Sequence, residues 1–191
     1  MYQNGLPMRS DDIQKLGESV SPYTLGFTNS FSYKGINVSF LIDAKFGGEI
    51  FSMTNNHMYC FGRHVDTLEG REGGVIGKGV KEDGKTPNDV KADAMTYYMA
   101  LGGITEQFVY DASFVKLREL SVGYTFPQKM VKKMGLGGLS LSLVGRNLWN
   151  IYDDVPLVDP ESSLSNGNGQ GFENYGMPAS RSIGFNLNVK F

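Results

Sequence analysis

Residues 23–46 read YTLGFTNSFSYKGINVSFLIDAKF, and this stretch decides the predicted fold. From Tyr23 to Tyr33 the odd positions are apolar or aromatic except for Asn29, while the even positions hold Thr, Ser and Gly. From Ile36 to Phe46 the even positions carry the apolar residues instead. A period of two residues is typical of a β-strand with one apolar face. The stretch therefore predicts two consecutive strands.

Lys34-Gly35 between the two runs fits a two-residue hairpin turn. With the turn there, Tyr33 pairs with Ile36 and Phe31 with Val38, so the apolar residues of both strands share one face. Each strand has about the 9–11 residues that a tilted strand needs to cross a bilayer, whereas strands of soluble proteins are nearer five or six. The hairpin therefore predicts a membrane-spanning sheet.

Three further runs alternate in the same way: Ser113–Phe126, Leu139–Val144 and Ser182–Phe191. The first half of Ser113–Phe126 does not alternate cleanly, because the charged residues Lys116 and Arg118 fall in phase with the apolar Leu120. We expect these two cations to close a polar contact in the upper wall of the sheet. The face predicted to be convex and apolar holds Phe27, Phe40, Ile42, Val122, Tyr124, Leu141, Phe185 and Leu187. The face predicted to be concave holds Asp43, Lys45, Asn186 and Lys190.

The connections alternate in length. They comprise about 2, 66, 12 and 30 residues, with the long ones at residues 47–112 and 151–181. Outer-membrane barrels have short periplasmic turns and long extracellular loops. We therefore predict an all-β chain, a transmembrane antiparallel β-barrel segment of about five long strands with two long extracellular loops. Five strands are too few to close a barrel, so an open, curved sheet is expected.

Composition limits the alternatives. The chain has 191 residues, of which 40% are hydrophobic and 12% aromatic, and it contains no apolar run of about 18 residues that would predict a transmembrane helix. A single cysteine, Cys60, excludes an internal disulfide framework. The formal charge of −2 gives no reason to expect a nucleic-acid partner. Because Met1–Gly5 lacks the features of a signal peptide, we expect the chain to be a downstream piece of an exported protein.

Several stretches resemble one family. Residues 111–127 read DASFVKLRELSVGYTFP and residues 145–149 read GRNLW, and both are similar to the signature near the end of SusC/RagA-type TonB-linked outer-membrane proteins. PYTLGF at 22–27 and FSYKG at 31–35 also resemble the family, and Phe191 resembles its aromatic ending, by which such barrels are recognised for assembly.

The resemblance implies a transporter in the outer membrane of a Gram-negative bacterium. Residues 1–191 would be the carboxy-terminal part of a barrel domain of about 22 strands, and the plug domain is absent from the sequence. The resemblance further implies a SusD-like surface lipoprotein as partner, contact with outer-membrane lipid, and coupling to the TonB complex through the missing amino-terminal part. Substrates would be oligosaccharides or sometimes peptides, and no enzymatic activity is implied.

The alternative is a soluble carbohydrate-binding β-sandwich, whose strands alternate in the same way. A sandwich predicts two facing sheets and compact loops. The two interpretations therefore differ in the number of sheets that the long strands form.

Candidate chemical sites are weak. His57, Cys60, His64 and Asp66 lie within ten residues of one another but match no zinc spacing. The loop carboxylates that could serve glycoside cleavage are Glu69, Glu72, Asp83 and Asp89, and nothing in the sequence brings two of them to a working separation. The glycine-rich runs 73–79 and 166–171 are predicted to be loops. The sequence thus predicts no catalytic, cofactor-binding or metal-binding residue and no cofactor.

Loop aromatics leave three alternatives open: stacking on sugars, contact with a partner protein, or packing within their own loop. They are Tyr59, Phe61, Tyr97, Tyr98, Tyr152, Phe172 and Tyr175. Trp149 and Tyr152 near the outer strand end are also predicted to belong to an interfacial aromatic girdle.

Overall fold

The computed structural model describes residues 1–165, 167 and 169–191 and divides the chain into two compact units. The loop unit comprises Met1–Val20, Gly48–Asp111 and Val155–Met177. The strand unit comprises Ser21–Gly47, Ala112–Asp154 and Pro178–Phe191. Asn166 and Asn168, in one of the predicted glycine-rich loops, lie outside the described residues.

The strands are, in chain order, β1 (Tyr2–Gln3), β2 (Leu6–Pro7), β3 (Tyr23–Tyr33), β4 (Ile36–Phe46), β5 (Glu49–Ser52), β6 (Val109–Asp111), β7 (Phe114–Thr125), β8 (Gly138–Asp153), β9 (Phe172–Glu173) and β10 (Ser182–Lys190). The α-helices are α1 (Met53–Cys60), α2 (Ala94–Gly102) and α3 (Gln128–Lys133), and 3-10 helices cover Val65–Leu68 and Thr105–Phe108. None of the helices in the described ranges combines the length and hydropathy needed to span a bilayer.

The strand unit is built on one antiparallel sheet with the strand order β10-β8-β7-β4-β3. The five predicted strands are confirmed, and they form an open sheet whose edges are β3 and β10. Because all five long strands belong to a single sheet, the sandwich alternative does not describe this unit.

The first hairpin has the predicted register. Tyr33 lies opposite Ile36 and Phe31 opposite Val38, as expected for a turn at Lys34-Gly35. Lys34 and Gly35 both have positive φ, 49° and 89°, which is the backbone pattern of a type I′ turn. This turn follows the right-handed twist of the two strands, so it fixes the register over all 11 pairs.

Replacing Gly35 by alanine is expected to lower the free energy of unfolding by about 2 kcal/mol. A Cβ at Gly35 would lie 2.7 Å from the carbonyl oxygen of Thr125, and its φ disfavours an L side chain. Gly26→Ala is the matched control, since a Cβ there meets nothing within 4 Å. Chemical unfolding of the full-length protein in detergent measures both losses of stability, and equal losses would contradict the assigned turn.

The register gathers the apolar residues on one face, as predicted. One row across all five strands consists of Phe31, Val38, Val122, Leu143 and Phe185. The neighbouring row consists of Tyr33, Ile36, Tyr124, Leu141 and Leu187. Most of these side chains are exposed, and Phe185 reaches 79% exposure. This apolar face therefore needs an apolar environment that the strand unit does not itself provide.

A β-bulge in β7 explains the mixed half of the third run. Leu41 of β4 lies opposite Glu119, and the next residue, Ile42, lies opposite Leu117, so the pairing skips Arg118. One extra residue reverses the alternation, so Leu117 lies on the apolar face and Lys116 lies opposite Asp43 on the polar face. The prediction that Lys116 is in phase with the apolar face is wrong. It assumed that side chains alternate without interruption along β7, whereas the bulge inserts one extra residue.

The short connection between β7 and β8 holds a helical turn, α3. Pro127 is its N-cap, and Gly135 follows the end of the helix with φ 74°. Only glycine adopts this conformation without steric cost, so Gly135 ends the helix. Val131 is fully buried and anchors the turn.

The loop unit contains more regular structure than a plain loop. Its 48–111 segment includes α1, α2 and two strands of a separate three-stranded sheet with the order β6-β5-β9. Its core consists of Val75, Ala92, Ala94, Tyr97 and Tyr98. Gly77 lies against the ring of Tyr2, since a Cβ there would come within 2.1 Å of that ring. The glycines of 73–79 thus permit close packing.

Candidate functional site

The polar face of the sheet carries a charge cluster at the bulge of β7. Arg118 Nε donates to Asp43 Oδ2 at 2.8 Å, and Arg118 Nη1 donates to Asn147 Oδ1 at 3.4 Å. The side chains of Arg118 and Asp43 are only 20% and 25% exposed. This ion pair joins β4 to β7 across the bulge, so the predicted polar contact of Arg118 is present.

Lys116 and Phe114 extend the cluster. Lys116 is buried, and its Nζ lies 4.7 Å from the centroid of the Phe114 ring. Arg118 Cζ lies 5.6 Å from the same centroid, and Phe114 is almost fully buried. A ring between two cations is attracted to both through its quadrupole. The bulge thus builds a compact, partly desolvated group of cations on the polar face.

Asn147 completes the arrangement on β8. Its backbone has φ 50°, a left-handed conformation that asparagine tolerates better than most residues. Its Nδ2 donates to the carbonyl of Ser180 at 3.2 Å, while its Oδ1 accepts from Arg118. This bridging role of Asn147 between Arg118 and Ser180 was not predicted from the sequence. The available signal was the asparagine of the GRNLW stretch at residues 145–149.

Replacing Arg118 by leucine is expected to destabilise the protein by about 2 kcal/mol, because Asp43 is left as a half-buried charge without its guanidinium. Arg146→Leu is the matched control on the same face. Its pair with Glu119 is 3.0 Å long, but the side chains are 66% and 39% exposed, so a loss of about 0.5 kcal/mol is expected. Chemical unfolding of both variants distinguishes them, and the opposite ranking would refute the argument from burial.

Within the loop unit, Glu173 is the most completely enclosed charged residue, with 0% exposure. Its Oε2 accepts from Ser52 Oγ at 2.7 Å and from the amide of Thr54 at 3.3 Å. Its Oε1 accepts from Thr54 Oγ1 at 2.6 Å and from the amide of Gly176 at 3.1 Å. Ser52 is also the N-cap of α1, so Glu173 fastens the 155–177 segment to the start of that helix.

The pKa of Glu173 reflects two opposing effects. Burial raises it, but the hydrogen bonds from Thr54, Ser52 and Gly176 outweigh burial and hold the pKa below its ordinary value of 4.5. The carboxylate is therefore ionised at neutral pH. Its contribution to stability is complete above pH 4.5 and is lost as the pH falls through the lowered pKa.

Exposed aromatic rings lie next to the Glu173 network. The ring centroid of His57 is 5.6 Å from that of Phe61 and 5.6 Å from that of Tyr175. Tyr175 Oη and His57 Nδ1 form a hydrogen bond. Phe61 and Tyr175 are 71% and 57% exposed, so the rings of the three residues lie at the surface of the loop unit.

The residues considered for a metal site do not converge. His64 Nδ1 accepts from the amide of Asp66 at 3.2 Å, whereas His57 contacts Tyr175. Cys60 Sγ lies 3.9 Å from Asn56 Oδ1. In the part of the chain that the structure describes, no three His, Cys, Asp or Glu residues are placed to hold a metal ion.

The loop carboxylates considered for acid–base chemistry shape the loop. Asp83 accepts from Thr86 and from the amides of Lys85 and Thr86, and these hydrogen bonds lower its pKa to about 2. Asp89 pairs with Lys81 at 2.7 Å, which lowers the pKa of Asp89. These partners account for Asp83 as a turn residue and for Asp89 as half of an ion pair.

The seven loop aromatics fall into groups. Tyr59, Tyr97 and Tyr98 belong to the interior of the loop unit, where burial raises their pKa values. Phe61, Phe172 and Tyr175 are exposed. Tyr152 and Trp149 lie on β8 opposite Val115 and Leu117, hence on the apolar face of the sheet, and their place in an interfacial girdle stays a prediction.

Comparisons with known proteins agree with this fold. No protein-family model matches the chain. TonB-dependent receptor P3 of Formosa agariphila is 29% identical over 186 residues, which cover 94% of this chain and 17% of the relative. TonB-dependent receptor P26 of the same organism is 28% identical over 198 residues, which cover 95% of this chain and 18% of that relative. The chain thus spans less than a fifth of the length of these curated relatives.

Solved structures of the RagAB peptide importer have the same fold. The closed-closed state matches with a TM-score of 0.63 and 19% identity, covering 100% of this chain and 19% of the matched chain. The open-open state matches with a TM-score of 0.56 and 19% identity, and the match covers 90% of this chain and 17% of the matched chain. In sequence, these 191 residues are therefore similar to a stretch of TonB-dependent receptors, and in fold they match a stretch of the RagAB structures.

Proposed function

We propose that residues 1–191 form the carboxy-terminal part of the barrel domain of an outer-membrane importer. The importer takes up oligosaccharides or peptides with a SusD-like lipoprotein at its external mouth, and it draws energy from TonB through a plug domain encoded outside these residues. The chain performs no chemical reaction on the substrate. Its long strands form barrel wall, and the connections at residues 47–112 and 151–181 are extracellular loops.

The observation that carries the proposal is the separation of the two faces of the five-stranded sheet. Strands β3 and β4 have 11 residues each, which is the length that a tilted strand needs to cross a bilayer. Their apolar rows continue across β7, β8 and β10, while Asp43, Arg118 and Glu119 occupy the other face. Lipid on one side and a polar lumen on the other satisfy both faces.

The substrate and partner rest on resemblance. The RagAB structures with the same fold are described as a peptide importer and a peptide transporter. The Formosa agariphila relatives are described as TonB-dependent receptors. Oligosaccharide or peptide import with a SusD-like lipoprotein is the function that fits both descriptions and the family signature at 111–127.

The test uses the full-length receptor gene and its neighbouring lipoprotein gene in a host that lacks other receptors of this type. Uptake of labelled oligosaccharides and peptides is measured with and without TonB, and membranes are fractionated in parallel. The proposal expects receptor in the outer membrane and TonB-dependent uptake of one of the two classes. Receptor in the soluble fraction, or uptake that is independent of TonB, would contradict it.

A further inference from the structure

Strand β5 joins segments of the loop unit that are far apart in sequence. It is the central strand of the sheet β6-β5-β9, antiparallel to β6 on one side and parallel to β9 on the other. The amide of Glu49 donates to the carbonyl of Glu18 at 2.7 Å, and Glu49 Oε2 accepts from the amide of Glu18 at 2.6 Å. The amino-terminal segment, Met1–Val20, and the 155–177 segment are therefore both bonded to this one strand.

The amino-terminal segment and the 155–177 segment share one edge of β5. The amides of Glu49 and Phe51 are two residues apart, so they point to the same side of the strand. The first donates to the carbonyl of Glu18, and the second donates to the carbonyl of Gly171 at 2.8 Å. Glu18 and Gly171 thus occupy consecutive positions along this edge, although they come from opposite ends of the sequence.

The two segments also contact each other at Gly171. A Cβ on Gly171 would lie 2.4 Å from Ser19 Cβ and 3.2 Å from the carbonyl oxygen of Glu49, and the φ of Gly171 is 81°. Only glycine combines this left-handed backbone with so close an approach. Gly171 therefore lets the two segments lie side by side on β5.

The strands of this sheet are too short to be stable alone. Strand β5 has four residues, β6 three and β9 two. Even a complete two-stranded hairpin is only marginally stable in water, so strands this short depend on their neighbours. Loss of either segment would leave an amide of β5 without its acceptor and weaken the remaining sheet. Elements of low individual stability that support one another open as a cooperative unit.

Side chains strengthen the attachment on the 155–177 side. Ser52 of β5 donates from Oγ to Glu173 Oε2 at 2.7 Å, and both residues are 0% exposed. The side chain of Asn55, which follows β5 in α1, donates to the carbonyl of Pro156 at 2.8 Å. The attachment of the 155–177 segment therefore begins at β5 and continues into the first turn of α1.

We propose that β5 is a clamp that makes the amino-terminal segment and the 155–177 segment open and close together. In the closed state both segments are bonded to the same edge of β5, and in the open state both are released. Coupling between two sites is reciprocal, so weakening the attachment of one segment weakens the attachment of the other by the same free energy. The clamp depends on contacts inside the loop unit and is independent of the substrate.

Hydrogen exchange in the full-length protein, followed by mass spectrometry, tests the clamp. Glu49→Ala removes the acceptor of the Glu18 amide and is expected to accelerate exchange about tenfold in residues 1–20 and in the 155–177 segment. Glu173→Ala acts from the other segment and is expected to accelerate exchange in residues 1–20 about tenfold as well. Acceleration confined to the segment that each variant contacts, or no acceleration in either variant, would overturn the clamp.

Two control variants separate the clamp from a general loss of stability. Glu49→Gln keeps an acceptor oxygen for the Glu18 amide, so exchange in both segments is expected to stay within about twofold of wild type. Glu82→Ala removes the exposed bond from Gln3 Nε2 at 3.1 Å, which also attaches the amino-terminal segment but lies away from β5. It is expected to leave exchange in the 155–177 segment at the wild-type rate, and acceleration there equal to that of Glu49→Ala would overturn the role of β5.

Discussion

Replacing Phe185 by arginine is expected to reduce the amount of receptor in the outer membrane several-fold. Phe185 lies in the apolar row with Leu143 and is 79% exposed within the strand unit. In a barrel wall this side chain meets lipid, and a cation on the lipid face of a strand costs about 2 kcal/mol or more, depending on its depth. Membrane fractionation and heat-modifiability on gels measure the folded, inserted receptor.

Asn186→Arg provides the matched control one residue away. Asn186 lies opposite Ser142, hence on the polar face, where a cation is solvated by the lumen. The same charge on the same strand is therefore expected to leave insertion close to wild type. Equal insertion of the two variants would show that the apolar face does not meet lipid, and a larger defect in Asn186→Arg would reverse the assignment of the faces.

Replacing Glu173 by alanine is expected to lower the local stability of the 155–177 segment by about 3 kcal/mol. The change leaves the buried hydroxyl of Ser52, the partly buried hydroxyl of Thr54 and the amide of Gly176 without their acceptor. Hydrogen exchange in the full-length receptor is expected to accelerate in α1 and in the 155–177 segment. Glu161→Ala, an exposed change in the same segment, is the control and is expected to have little effect.

The pH dependence gives a second measurement of the same network. The pKa of Glu173 is lowered below 4.5, so its stabilising effect is present at neutral pH and is lost on acidification. Hydrogen exchange in the 155–177 segment of the wild type, corrected for intrinsic rates, is expected to rise as the pH falls below 4.5. The Glu173→Ala variant is expected to lose this part of the pH dependence, and an unchanged profile would exclude Glu173 as its source.

The strands could be predicted because their signal is local. Side chains two residues apart share a face of a strand, so Tyr23–Tyr33 and Ile36–Phe46 reveal their pattern without knowledge of any partner. The turn at Lys34-Gly35 then fixed the register of the first hairpin. In the structure that register holds over every pair, and the apolar face continues across β7, β8 and β10.

The bulge at Arg118 could not be predicted from β7 alone. Its effect is to shift Lys116 to the polar face, where Lys116 lies opposite Asp43 and Arg118 pairs with Asp43 at 2.8 Å. Asp43 is 75 residues away from Arg118 along the chain. A bulge is stabilised by such distant partners, and a periodicity argument assumes that no residue is inserted.

The sequence by itself determined the number of long strands, the turn at Lys34-Gly35 and which side chains form the apolar face, because these follow from the period of the strand and the chemistry of a short turn. Only the tertiary structure decided which segments of the loop unit contact one another. Glu173 meets Ser52 and Thr54 across about 120 residues of chain, and Tyr175 meets His57 across 118. Contacts of this kind depend on where the folded backbone brings distant segments together, and no local pattern of residues records them.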